Sequence, residues 1–182
     1  FVRACGFNTE TGNAGGGVYL DNANFNTIQN NFIGTDKDGV TALGNNGSGG
    51  IRLTNTSQDT VVADNLVSGN AVGIHIDGGA AFNQVRGNLI GTDVTGTLDL
   101  GNTSHGVQIL NSASLNTIGG TTASERNTIS GNDADGIFIN TTSIDGNRVL
   151  GNYIGTTADG TAALGNVNGV VIGSANNTIG GT

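Results

Sequence analysis

Apolar residues recur along this chain in short bursts, each opened by a glycine and each alternating apolar with any residue. Six copies of Gly-apolar-x-apolar begin at Gly17, Gly50, Gly73, Gly106, Gly136 and Gly169, at intervals of 33, 23, 33, 30 and 33 residues. After each burst comes a polar stretch, then a second short apolar segment centred on Ile28, Val62, Val85, Ile118, Val149 and Ile179. A third is centred on Ile33, Val67, Ile90, Ile129 and Ile154. Alternation over a few β-branched residues predicts strands, and no window carries the i, i+3, i+4, i+7 stripe of a helix. A phrase repeated at such intervals is a structural unit stacked on itself.

Three strands of about three to five residues joined by polar corners fill one turn of a β-solenoid, with successive turns about 4.8 Å apart. The expected fold is an all-β, right-handed parallel β-helix of about five to six coils, each of three short strands. Its core would be vertical aliphatic columns, one from Val18 to Val170 and the next from Leu20 to Ile172. A coil cannot offset its own backbone ordering, at about 1–2 kcal/mol per residue, so neighbouring coils must stabilise one another. The asparagines Asn26, Asn83, Asn116, Asn147 and Asn177 precede the second strand, and Asn31, Asn65, Asn88, Asn127 and Asn152 the third. Asparagine tolerates left-handed corners and can bond an amide stacked above it, so these are read as structural corner ladders, with sugar or metal binding as the alternative.

The longer coils carry an inserted flap. Its copies are Gly34–Asn45, Gly91–Asn102 and Gly155–Asn166. The flaps fall in alternate coils, and Leu43, Leu100 and Leu164 are expected to anchor them. The 30-residue coil instead inserts Thr121–Arg126 at another corner. Asp36, Asp38 and Asp93 lie in the flaps, and hard oxygen ligands of this kind suit calcium. Against a metal, Thr157 and Thr95 replace acids in the other copies. A tight turn ending in glycine is the competing reading.

Composition narrows the partners. The charge is −8 with only six Lys and Arg, unclustered, so no basic stripe exists to neutralise nucleic-acid phosphates. No apolar run approaches about 18 residues, so no membrane insertion is expected. One cysteine, Cys5, allows no internal disulfide. The whole of 1–182 reads as a single domain, and as a fragment of a longer repeat protein.

The phrases Asn116–Gly120 (Asn-Thr-Ile-Gly-Gly), Gly151–Thr156 (Gly-Asn-Tyr-Ile-Gly-Thr) and Gly160–Asn166 (Gly-Thr-Ala-Ala-Leu-Gly-Asn) resemble the right-handed parallel β-helix repeats of large bacterial secreted and surface proteins, within the wider pectate-lyase-like superfold. The resemblance runs from about Gly12 to Thr182. It implies an extracellular or cell-surface location and a carbohydrate-rich neighbourhood, but not an activity, since the superfold hosts lyases, hydrolases, epimerases, adhesins and tailspikes.

Catalytic elements of that superfold are sparse here. Its hydrolases carry Asn-Thr-Asp, Asp-Asp, Gly-His-Gly and Arg-x-Lys, of which only Ser104-His105-Gly106 has a counterpart. His105 is therefore read as a corner residue. Asp21 and Asp77 share an offset two coils apart, about 10 Å, which is wide for a carboxylate pair. Asp133 and Asp135 are expected to face water. The most varied outward column is Tyr19, Arg52, His75, Gln108 and Phe138, continued by Val171; it is a candidate ligand groove or a solvated face. The outward row Thr27, Val61, Gln84, Thr117, Arg148, Thr178 is too broken for ice binding. The leading expectation is a non-enzymatic structural or adhesive rod, possessing no cofactor. A polysaccharide-active enzyme with its site partly elsewhere and a self-assembling extracellular fibre are the alternatives. A cell-surface glycan and end-to-end copies of the chain are the candidate partners.

Overall fold

The computed structural model describes residues 12–140 and 146–181; Cys5 lies outside them. The chain winds as a right-handed parallel β-helix with three parallel sheets, one strand per sheet per coil. The first sheet stacks Val18–Asp21, Ile51–Thr54, Ile74–Ile76, Val107–Leu110, Asp135–Asn140 and Asn168–Ile172 in chain order. The second holds Thr27–Gln29, Val61–Ala63, Gln84–Arg86, Thr117–Gly119, Arg148–Leu150 and Thr178–Ile179. The third runs from Phe32–Ile33 through Leu66–Val67, Leu89–Ile90 and Thr128–Ile129 to Tyr153–Ile154.

Register follows the repeat phrase residue for residue. Val18, Ile51, Ile74, Val107, Ile137 and Val170 pair in succession, as do Leu20, Leu53, Ile76, Ile109, Ile139 and Ile172. Strand alternation turns both columns inward. From coil two to coil five they are fully buried together with Val62, Val85, Ile118, Val67, Ile90 and Ile129. Each such side chain contributes roughly 1.5–3 kcal/mol relative to exposure.

Asparagine ladders close all three corners. Before the third strand, Asn31, Asn65, Asn88 and Asn127 each donate Nδ2–H to the Oδ1 of the next member, ending on Asn152, at 2.8–3.1 Å. Before the second strand the ladder runs Asn83, Asn116, Asn147. Asn147 passes it to Asn177 through its backbone N–H at 3.1 Å. Asn26 does not join; its amide turns to the Asn24 carbonyl, because Thr60 occupies the next coil and offers no amide. A third ladder, before the first strand, is the longest: Asn13, Asn45, Asn70, Asn102, Asn132, Asn166. Its sequence signal is a Gly-Asn pair three to five residues ahead of each strand glycine. In every ladder Oδ1 also accepts the backbone N–H of the preceding member, so corner donors that would be orphaned inside the solenoid are satisfied.

The flaps alternate for a geometric reason. Each is a small antiparallel hairpin, bridged Thr35↔Ala42, Thr92↔Asp99 and Thr156↔Ala163. Leu43, Leu100 and Leu164 return it to the rod by donating N–H to Gly34, Gly91 and Gly155. Successive flaps bond each other directly, Val94 N–H to the Gly39 carbonyl and Ala158 N–H to Gly96, both at 2.9 Å. A two-stranded hairpin is about two strand spacings thick, near 10 Å, which equals two coils. A flap on every coil would collide with its neighbour.

Candidate functional site

The outward face of the first sheet gathers charged side chains that are half-buried or deeper. The column Tyr19, Arg52, His75, Gln108, Phe138, Val171 is in register throughout. Tyr19 is exposed, and the Arg52 guanidinium lies 5.7 Å from its ring centroid. Arg52 reaches one coil up to Asp77, donating from Nη2 to Oδ2 at 2.6 Å and from Nε to Oδ1 at 3.3 Å. The Asp77 side chain is only 6% exposed. Burial pushes its carboxyl upward, but hydrogen bonds from Arg52 and Thr54 outweigh that and hold it below its ordinary value.

His75 stands beside this pair with Nε2 3.7 Å from Asp77 Oδ2, too far for a hydrogen bond. That nitrogen is buried and has no hydrogen-bond partner, alone among the side-chain nitrogens and oxygens of the described residues. Burial lowers the His75 imidazole below 6.5 despite the Asp77 charge, with Arg52 and His105 adding to the fall. The ring is neutral at neutral pH.

A second polar group climbs the start of the same sheet. His105 Nδ1 lies 3.2 Å from Asp135 Oδ2 and 3.3 Å from the Asp135 backbone nitrogen. A protonated Nδ1 meets the carboxylate, and a bare one accepts the N–H. Asn168 donates to the other Asp135 oxygen at 2.7 Å. The His105 ring stacks on Phe138, centroids 4.7 Å apart and 11° from parallel. Burial again lowers the imidazole, against the pull of Asp135. Asp135 thus does not face water: the strand Asp135–Asn140 begins one coil above His105, and the carboxylate is enclosed between His105 and Asn168. Asp133, two residues earlier, is exposed.

The flap acids are engaged locally. Asp36 Oδ1 accepts N–H from Val40 and Thr41, and the first of these holds its carboxyl low. Asp93 accepts from Thr97, Leu98 and the Thr95 hydroxyl, which outweigh its burial. Thr157 does the same in the third flap with its hydroxyl, accepting from Ala162 N–H. Each is the keystone of its own turn. Asp38 is exposed and paired with Lys37 at 2.6 Å. Asp36 and Asp93 sit on successive flaps. Among the described residues no three His, Cys, Asp or Glu converge as metal donors, and no helix is long and apolar enough to cross a membrane.

Sequence reasoning placed Tyr19 to Phe138 on one line but missed Asp77 as the partner of Arg52 and Asp135 as the partner of His105. Their signal was weak, because each carboxylate pairs with a side chain at a different position of the neighbouring coil.

No curated protein and no solved structure matches the chain. Residues 6–97, half of its length, match the family described as periplasmic copper-binding protein (NosD), and the chain belongs to that family.

Proposed function

We propose that this chain is a non-enzymatic rod segment, structural or adhesive, of a protein working outside the cytoplasmic membrane. One observation carries the reading: the carboxylates buried on the first sheet are already committed. Asp77 is clamped by Arg52, and Asp135 is held by Asn168 and His105. They stand two coils apart, roughly 10 Å along the axis, at opposite ends of their strands. Glycoside cleavage needs two carboxyl groups flanking one bond at about 5–9.5 Å, one of them kept protonated. Asp77 is instead held ionised. The family's periplasmic description supports the location, and the repeat phrases support the wider pectate-lyase-like placement.

Copper, named in the family's description, does not fit the donors in place. Copper favours imidazole, thiolate and thioether ligands, and the chain has two His, one Cys and no Met. His75 offers an unpartnered nitrogen, but its neighbour Asp77 is taken by Arg52, and the His105 ring is tied to Asp135 and Phe138.

The test is an assay of purified chain 1–182 on neutral polysaccharides and on polygalacturonate. No release of reducing ends or unsaturated sugars is expected; sustained release of either overturns the reading.

A further inference from the structure

We propose that the corner ahead of the second sheet is a stacking ridge for an uncharged polysaccharide strand lying along the rod. The residues two positions before each second-sheet strand are Phe25, Asp59, Phe82, Leu115, Gly146 and Asn176. Strand register puts these six in one column. All six have left-handed backbone, with φ between 52° and 62°.

That conformation is ordinary for Gly, Asn and Asp and strained for bulky side chains. Elsewhere among the described residues left-handed backbone falls on Gly, Asn and Asp, apart from the small hydroxyl residues Thr56 and Ser112. Phe25, Phe82 and Leu115 are the large apolar exceptions among the described residues, and all three fall in this column. Nor does core packing compensate the strain, since Phe25 is 80% exposed, Phe82 50% and Leu115 49%. Asp59, Gly146 and Asn176 show that the corner itself requires nothing larger or more apolar. Bulky residues held in a strained conformation and presented to solvent point to a role outside folding.

The ridge's chemistry selects the occupant. Phe25 and Phe82 are two coils apart, about 10 Å, close to the length of a disaccharide unit in an extended chain. Ring faces at that spacing can meet every second sugar. Of the positions flanking them in chain and register, Asn24, Gln58, Ser114, Thr27, Gln84 and Thr117 carry amides or hydroxyls suited to sugar hydroxyls, while Ala81 and Val61 are apolar. Nucleic-acid bases also stack on aromatics, but their backbone needs a basic track; this chain is at −8, and Asp59 sits between the two rings.

The experiment is co-sedimentation of chain 1–182 with microcrystalline cellulose and with chitin, and affinity electrophoresis in polygalacturonate, each repeated with the Phe25→Asn/Phe82→Asn double variant. Asparagine accepts left-handed backbone, so the variant is expected to fold with an unchanged or higher Tm. Wild type should bind cellulose or chitin, and the variant should bind at least tenfold more weakly. Absence of wild-type binding to both, binding to polygalacturonate alone, or equal binding by the variant overturns the proposal. So does a concentration-dependent dimer in sedimentation velocity that the variant abolishes, because the ridge then serves a second copy. The outcome is independent of the rod reading: sugar release with the ridge intact would sink that reading and leave this one standing.

Discussion

Arg52 grips Asp77 from the coil below with two hydrogen bonds, 2.6 Å and 3.3 Å, while the aspartate side chain is 6% exposed. The guanidinium is what lets a carboxylate stay ionised there. Arg52→Ala should cost about 2 kcal/mol at pH 7, the scale of a hydrogen bond to a buried charge. The pH profile should also change sign. In the wild type the Asp77 carboxyl lies below 3.8, so its contribution is complete above that value and is lost as pH falls through the lower folded value. Without Arg52, burial dominates and raises the carboxyl, so the variant's deficit should shrink on acidification. Urea midpoints at pH 7 and pH 4 measure both effects; a constant deficit would contradict the account.

The two imidazoles give a separate window. Both are lowered from 6.5 by burial. The unfolded chain therefore takes up protons that the folded chain refuses. Their stabilising contribution is complete above pH 6.5 and is lost as pH falls through the folded values. A His75→Gln/His105→Gln variant should show a flatter stability curve between pH 7 and 5 in thermal melts followed by circular dichroism.

Asn88 sits mid-ladder. Its Oδ1 accepts the backbone and side-chain N–H of Asn65, and its Nδ2 serves Val62, Arg86 and Asn127. Asn88→Ala would leave several buried groups unpaired and should cost about 3 kcal/mol, at 1–3 kcal/mol per orphaned group. The exposed Asn46→Ala is the control, expected within about 0.5 kcal/mol. Equal urea midpoints for the two would remove the ladders from the stability of the rod.

Gly96 bonds the next flap and has φ of 70°, and a Cβ there would collide with Ala158. Gly96→Ala should cost about 1–2 kcal/mol from left-handed strain alone, with the clash adding to it. Gly165 has no heavy atom within 4 Å of such a Cβ, so Gly165→Ala should be silent. Parallel thermal melts compare them.

The ridge carries a stability prediction of its own. Phe25→Asn should stabilise by about 1 kcal/mol through relief of backbone strain. Ile33→Ala, in the fully buried core, should destabilise by about 3 kcal/mol. A Phe25→Asn variant that unfolds earlier than wild type would show the ring to be part of the packing.

The inward columns, the coil lengths and two of the three corner ladders were legible in the order of residues, because parallel coils stack in register and a shift of one period maps onto one step along the axis. The Gly-Asn ladder was equally written there, but its distance to the strand glycine varies by two residues, and that blurred it. Tertiary structure alone decided the rest. Arg52 finds Asp77, and His105 finds Asp135, through the reach and rotamer of side chains on neighbouring coils, which no period encodes. The alternation of the flaps was already legible in the coil lengths, but its reason, hairpin thickness, is a length in space. The left-handed corner beneath Phe25, Phe82 and Leu115 is imposed by the coil's closure against the local preference of those residues, so only the folded backbone reveals it.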